Sequence, residues 1–163
     1  MYKGALRPED MVQVDPTGKP LEKGVRASVE TGMHIKIYEL RPKCNAVIHT
    51  HAPTATLFGL LEMKVVPITI DAIRFLDMPL VPFFMPGTKD LVAGVEERIT
   101  KSPALLLQNH GLVTYGANLR EAANIALTLE EVCRLMLECR ESGREPALIP
   151  EKVVTMLKQF LVG

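Results

Sequence analysis

The sequence predicts an α/β fold in which a sheet is covered by helices. Two observations lead there: short apolar segments alternate with amphipathic ones, and one long amphipathic segment, 118–143, repeats its apolar residues at helical spacing. The length of the chain bears on the number of domains, because 163 residues can bury one sizeable core. We therefore expect residues 1–163 to form a single domain.

The predicted strands are short and rich in β-branched or other apolar residues. They lie at 11–24, where a strand runs into a turn at Pro16-Thr17-Gly18, and at 44–51, 64–70, 79–84, 103–109 and 111–116. Segment 71–77 fits neither a strand nor a helix pattern clearly. Because the strands alternate with helices, we expect a mixed sheet.

The predicted helices carry apolar residues at intervals of three and four positions. They lie at 28–40, 54–62, 88–101, 118–143 and 150–161. Ser28 is the expected N-cap of the first helix, and Pro42 follows its end. Gly143 is expected to end the long fourth helix.

Composition excludes several classes of partner. The formal charge is zero and the predicted pI is 6.9, so nothing electrostatic favours nucleic acid or an anionic membrane. No apolar run approaches the length of a membrane span. The three cysteines form no Cys-x-x-Cys motif, which predicts reduced thiols and a cytoplasmic protein.

Two histidines, His49 and His51, stand one residue apart at the end of the predicted strand 44–51. Alternate residues of a strand point to the same face, so the two imidazoles project together while Thr50 points away. Such a pair can bind one metal ion, because zinc–nitrogen bonds of about 2.0–2.1 Å require convergent ligands. The alternative is a pair of surface or hydrogen-bonded histidines.

A third histidine strengthens the metal hypothesis. His110 ends a buried-looking strand and precedes Gly111, where the backbone can turn sharply. Ligands gather at the carboxyl ends of strands in α/β sheets. Three imidazoles would leave an open position for substrate or water. His110 could also be a core histidine before a turn, and spacing alone does not bring the three together.

A carboxylate, Glu30, lies in the first turn of the predicted helix 28–40. The helix dipole stabilises a negative charge there, so by itself Glu30 is explained as an ordinary helix-start residue.

Three segments resemble the class II aldolase/adducin family of zinc enzymes, which includes sugar-phosphate aldolases, an epimerase and a dehydratase. They read SVETGMHIKIYELRPKCNAVIHTHAPTA, MPGTKDLVAGVEERI and ALLLQNHGLVTYGANLREAANIALTLEEVCRLML. They cover most of the chain from Ser28 to Glu141, in the family's order. The resemblance implies a three-layer α/β/α domain with a mixed, mainly antiparallel sheet, and a homotetramer.

The resemblance also implies the site and its chemistry. His49, His51 and His110 are the implied zinc ligands, although cobalt or manganese would suit the same donors. Glu30 is the implied fourth ligand of the resting metal and the acid/base residue, and Ser28 contacts the substrate phosphate. The implied reaction cleaves a ketose 1-phosphate, such as L-fuculose 1-phosphate, to dihydroxyacetone phosphate and an aldehyde through a zinc-stabilised enediolate.

Asp71 is compatible with reactions other than aldol cleavage. It follows segment 64–70, near the place where the epimerase and dehydratase branches carry an acidic acid/base residue. By itself, however, Asp71 is better explained as the N-cap of segment 72–77. The alternatives are therefore a zinc-dependent sugar-phosphate epimerase or dehydratase, or a non-catalytic adducin-like module.

Two features depart from the family pattern. Members carry a segment ahead of the one that begins here at Met1, with a Gly-Asn-x-Ser loop that holds phosphate, so we expect an N-terminally short member. Members also carry two small hydroxyl residues before the acid; Ser28 is kept, but Val29 replaces the second. Fewer fixed donors predict weaker phosphate binding.

Overall fold

A sheet of four strands forms the centre of the described part of the chain, residues 7–161 of this computed structural model. The strands are β1 (Ala46–Thr50), β2 (Leu80–Val81), β3 (Ala104–Leu107) and β4 (Gly111–Gly116), in the order β1-β4-β3-β2. Strand β4 runs antiparallel to β1 and β3, and β2 runs parallel to β3. The sheet is therefore mixed and mainly antiparallel, as predicted.

Five α-helices accompany the sheet within residues 7–161. They are α1 (Thr31–Leu40), α2 (Pro53–Leu60), α3 (Lys89–Arg98), α4 (Leu119–Glu141) and α5 (Glu151–Leu161). The side chains of Thr88 and Asn118 cap α3 and α4 by accepting hydrogen bonds from backbone amides. Each helix lies within a segment predicted to be helical or starts one position before it. None of the described helices is long and apolar enough to cross a membrane.

Helices α1 to α4 form a layer on each face of the sheet because the side chains of β3 alternate between two cores. Leu105 and Leu107 pack with the buried residues of α1 and α3. Leu106 packs on the other face with the buried residues of α2 and α4. The residues that the helices contribute are Met33, Ile37, Leu91 and Val95 on the first face and Phe58, Ile125 and Leu129 on the second. This is the expected α/β/α arrangement.

The predictions of strands at 11–24 and 64–70 are wrong. Within 11–24 there is only an isolated bridge, Val14 to Pro20, because the Asp15 carboxylate accepts the amides of Thr17 and Lys19 and turns the chain. Segment 64–70 forms no strand, and its central Pro67 has no amide hydrogen to give to a ladder.

Two other boundaries differ from the predictions. Within 79–84 the strand is limited to Leu80–Val81, since the next residue is a proline. Segment 71–77 contains a 3-10 helix, Asp71–Phe75.

The predicted domain 1–163 also includes residues 1–6 and 162–163, which lie outside the described residues.

The start of α1 is a further correction, and it bears on the site. The helix begins at Thr31, and its N-cap is Glu30 rather than Ser28. The Ser28 carbonyl accepts the Thr31 amide at 3.1 Å, and the Ser28 hydroxyl accepts the Glu30 amide at 3.3 Å. Since the Glu30 side chain makes no capping bond, it is available for contacts on the sheet.

Candidate metal and catalytic site

Antiparallel pairing brings the three predicted histidines to one place. His49 lies in β1 opposite Val113, and Thr50 lies opposite Leu112, so the end of β1 runs alongside the start of β4. His51 follows β1 directly, while His110 lies in the turn between β3 and β4. The three ligand nitrogens lie within 4.8 Å of one another. The rings are 4.7 to 5.2 Å apart, centroid to centroid.

Gly111 is what allows this close approach. A Cβ at this position would lie 2.7 Å from the Thr50 carbonyl oxygen and 3.0 Å from the His51 ring carbon Cδ2. The first atom belongs to paired backbone and cannot move away cheaply. Asn109, two residues earlier, has a φ of 56°, a conformation that asparagine tolerates better than most residues. Steric constraints therefore favour asparagine at position 109 and glycine at position 111 of this turn.

The Glu30 carboxylate is buried against two of the imidazoles. Its Oε2 lies 3.0 Å from His49 Nε2, and its Oε1 lies 3.3 Å from His110 Nε2. The side chain of Glu30 is 9% exposed and that of His49 is 4% exposed. A residue that looked like an ordinary helix-start carboxylate thus joins the cluster that the histidines form.

The tautomer of His49 follows from its hydrogen bond. Nδ1 lies 3.0 Å from the Leu112 carbonyl oxygen, which can only accept, so Nδ1 carries the proton of the neutral ring. Burial lowers the pKa of His49 to about 4, and the Glu30 carboxylate only partly opposes this effect. The neutral ring then presents an Nε2 lone pair to the Glu30 carboxylate.

This arrangement brings acceptor atoms close together, since His49 Nε2 faces Oε2 of the Glu30 carboxylate at 3.0 Å. His49 Nε2 and Glu30 Oε1 are both buried and have no hydrogen-bond partner among the described residues. Unpaired buried acceptors are costly unless a proton or a cation lies between them. Three imidazoles and one carboxylate are the donors that divalent transition metals take. The residues therefore fit a metal ion.

The remaining predicted site residues lie in different places. Ser28 is exposed, directly before Val29 and Glu30, and its hydroxyl is tied to the Glu30 amide. Asp71 is exposed at the first position of its 3-10 helix and is not part of the histidine cluster.

Two contributors to the site were missed in the sequence. One is the Leu112 carbonyl, which no side-chain motif can reveal. The other is Gly87, with a φ of 77°, where a Cβ would lie 2.9 Å from the Val29 carbonyl oxygen. The Pro-Gly pair at 86–87 signals a turn, but not that this turn packs on the segment carrying Glu30.

Comparison with known proteins identifies the family of the chain. The family model for the class II aldolase and adducin N-terminal domain matches residues 1–137. The chain has a mixed α/β sheet and a histidine cluster that could bind a metal, and it belongs to this class II aldolase and adducin family.

Individual relatives carry several activities. The chain is 36% identical to a 3-oxo-tetronate 4-phosphate decarboxylase of Escherichia coli K12, over 82% of this chain and 65% of that protein. It is 33% identical to an L-fuculose phosphate aldolase of Haemophilus influenzae, over 95% of this chain and 73% of that protein. The chain thus spans about two thirds to three quarters of these relatives.

Solved structures give the same fold. An L-fuculose-1-phosphate aldolase from Thermus thermophilus matches with a TM-score of 0.74 and 28% identity, over 91% of this chain and 78% of that one. Another structure named L-fuculose 1-phosphate aldolase has a TM-score of 0.86 at 24% identity, covers 98% of this chain and 76% of that one, and supports the fold alone.

Proposed function

We propose that this protein is a metal-dependent lyase that cleaves a small ketose 1-phosphate, such as L-fuculose 1-phosphate, to dihydroxyacetone phosphate and an aldehyde. The observation that carries the proposal is the buried Glu30 carboxylate lying against two of three convergent imidazoles. Similarity to relatives named as L-fuculose phosphate aldolases supports the choice of substrate class.

His49, His51 and His110 are proposed to hold the metal, with zinc as the proposed ion. When bound, the ion supplies Lewis-acid stabilisation of negative charge on substrate oxygens. The hydrogen bond from His49 to the Leu112 carbonyl fixes the ring that presents Nε2. His51 is the exposed member of the three, so substrate is expected to approach from its side.

Glu30 is proposed to be the acid/base residue as well as a ligand of the resting metal. When the C3–C4 bond breaks, its electron pair stays on C3, next to the C2 carbonyl. The C4 hydroxyl loses its proton as the aldehyde forms, and C3 must gain one. A carboxylate within the metal cluster, and not fixed by a helix cap, is proposed to move the proton at C3.

Ser28 is proposed to contact the substrate phosphate. Its hydroxyl is exposed at the turn that carries Glu30, and it accepts the Glu30 amide at 3.3 Å. A phosphate contact there would anchor the substrate close to the acid/base carboxylate.

Decarboxylation of a 3-oxo acid phosphate is the second candidate. Relatives named 3-oxo-tetronate 4-phosphate decarboxylase are 34 and 36% identical to this chain. In that reaction the bond to the carboxylate breaks, carbon dioxide leaves, and the electron pair again stays on the carbon next to a carbonyl. The same site chemistry would serve, since that carbon also needs a proton.

A lyase assay tests the proposal. Protein loaded with zinc is supplied with short ketose 1-phosphates and, separately, with 3-oxo-tetronate 4-phosphate, and the release of dihydroxyacetone phosphate or carbon dioxide is followed. We expect dihydroxyacetone phosphate from at least one ketose 1-phosphate. Carbon dioxide release alone would replace the first candidate by the second. Release of neither product, with metal bound, would contradict the proposal and leave the epimerase, the dehydratase and the non-catalytic module as alternatives.

The variant Glu30→Gln tests the acid/base role. At saturating metal we expect its kcat to fall by about 10²- to 10⁴-fold, the usual contribution of a positioned acid/base group. Glu39→Gln is the matched control, because Glu39 is an exposed residue of α1 that pairs with Lys36. Equal kcat values for Glu30→Gln and Glu39→Gln would remove Glu30 from the mechanism.

A further inference from the structure

Helix α2 begins two residues after His51 and has no cap of its own. Its N-cap residue is an alanine and its first residue is a proline, which has no amide hydrogen. The next two amides both donate to one side chain, the Glu130 carboxylate of α4. The Thr54 amide donates to Oε1 and the Ala55 amide donates to Oε2, each at 2.8 Å.

We propose that Glu130 is a positioning residue that holds the corner between β1 and α2, and with it the His51 imidazole, in place for metal binding. This inference rests on the proposed metal site. The exposed His51 ring directly follows β1 and lies against the rings of His49 and His110, so its position depends on the backbone that carries it. That backbone is held on one side by the pairing of Thr50 with Leu112 and on the other by Glu130.

The environment of Glu130 supports a specific role rather than a chance surface contact. Glu130 is half-buried, and its neighbours Leu129 and Cys133 on α4 belong to the apolar core. Here both oxygens accept charge-assisted hydrogen bonds, and the two bonds together fix the direction of the first turn of α2.

The charge of Glu130 has a second consequence. The N-terminus of a helix carries partial positive charge, which disfavours a dication nearby. The start of α2 lies two residues from His51, so this repulsion would act on the proposed metal site. The Glu130 carboxylate offsets it. Loss of the charge should therefore weaken metal binding even where the shape of the side chain is kept.

The variant Glu130→Gln tests the positioning role and the charge effect together. It keeps the shape of the side chain, removes its charge and turns one acceptor into a donor. Glu131→Gln is the matched control, because Glu131 is exposed on the same helix and pairs with Arg134. We expect Co²⁺ to bind Glu130→Gln about 10-fold more weakly, with a changed visible absorption spectrum. Glu131→Gln should match the wild type. An unchanged Co²⁺ affinity and spectrum in Glu130→Gln would overturn the inference.

NMR of the metal-free protein separates this inference from the proposed function. We expect the His51 ring signals to move in Glu130→Gln and to stay in place in Glu131→Gln. An unmoved His51 ring would refute the positioning role by itself. A wild-type protein that binds no Co²⁺ would instead refute the proposed metal site.

A second variant covers the case in which Glu130→Gln does not fold. Glu130→Asp keeps the charge but is one methylene shorter, so it cannot reach both amides of α2. We expect weaker Co²⁺ binding than in the wild type, together with movement of the His51 ring signals. Wild-type Co²⁺ affinity in a folded Glu130→Asp would contradict the inference.

Discussion

Single residues decide how close the metal-binding donors come. Gly111 permits β4 to pass beside the end of β1, and the Leu112 carbonyl sets the tautomer of His49. Neither contributes a ligand, yet both determine where the ligand atoms lie. The same holds for the left-handed Gly87, against which the Val29 carbonyl packs next to Glu30.

Substituting Gly111 with alanine should therefore damage the site more than the fold. The added Cβ would lie 2.7 Å from the Thr50 carbonyl oxygen and 3.0 Å from the His51 ring. We expect an unfolding free energy about 1–3 kcal/mol lower than that of the wild type, as for other overpacked sites, and weaker zinc binding. Urea denaturation and a zinc titration measure the two effects.

Gly32→Ala is the control for this prediction. The Cβ added at Gly32, in α1, would lie 3.5 Å from a methyl group of Val92, which is ordinary contact. Alanine is favoured over glycine in a helix, so this variant should keep or gain stability. Wild-type stability and zinc affinity in Gly111→Ala would contradict the prediction, because the backbone would then have moved to accommodate the added Cβ.

At the scale of elements, β4 and α4 bury two groups that resist ionisation. Tyr115, in β4, donates to the Ser102 carbonyl at 2.7 Å, and burial raises its pKa to about 12. Burial also raises the pKa of the Cys133 thiol in α4 to about 12, with a smaller contribution from Glu130. Both groups therefore stay neutral in the folded protein at pH values where they ionise in the unfolded chain.

These two groups predict a loss of stability at alkaline pH. The unfolded chain releases the thiol and phenol protons near pH 9 and 10, whereas the folded protein holds both to about 12. Over that range the folded state binds more protons, so the free energy of unfolding falls as pH rises. Each group contributes a slope of at most about 1.4 kcal/mol per pH unit. Urea midpoints measured from pH 8 to 11 report the slope.

Tyr115→Phe should flatten the alkaline slope above pH 10, because it removes one of the two protons held by the folded state. It should also cost about 1 kcal/mol at neutral pH through the lost hydrogen bond to Ser102. Tyr38→Phe is the control, since Tyr38 is 40% exposed on α1. A slope that is the same in Tyr115→Phe and in Tyr38→Phe would contradict the role of Tyr115.

At the scale of the whole molecule, the site forms where three separate parts of the chain meet. Strand β1 brings His49 and His51, the turn after β3 brings His110, and the start of α1 brings Glu30. The two helical layers fix these parts relative to the sheet. The site therefore depends on strand pairing and helix placement as well as on the local spacing of His49 and His51.

Much of this could be predicted from the sequence, for a physical reason. Helical periodicity located the helices, and short apolar or β-branched runs located the strands β1, β3 and β4, because both local patterns follow side-chain burial. The two wrong strands, 11–24 and 64–70, had apolar residues but were governed by a turn-forming Asp15 and by Pro67.

The site was only partly predictable for a different reason. The shared face of His49 and His51 follows from the strand period, but the meeting of His110 and Glu30 with them depends on register and on helix placement. Glu130 went unnoticed because it acts through backbone amides 75 and 76 positions away in the chain.

Metal stoichiometry tests the central claim most directly. Zn²⁺ is titrated by calorimetry into metal-free wild-type protein, into His110→Ala, and into His34→Gln, which changes the histidine outside the cluster. We expect one ion per chain in the wild type and in His34→Gln. In a folded His110→Ala, binding should weaken by more than about 100-fold, beyond the loss of an outer-shell partner. No saturable binding in the wild type, or equal binding in His110→Ala, would contradict the account.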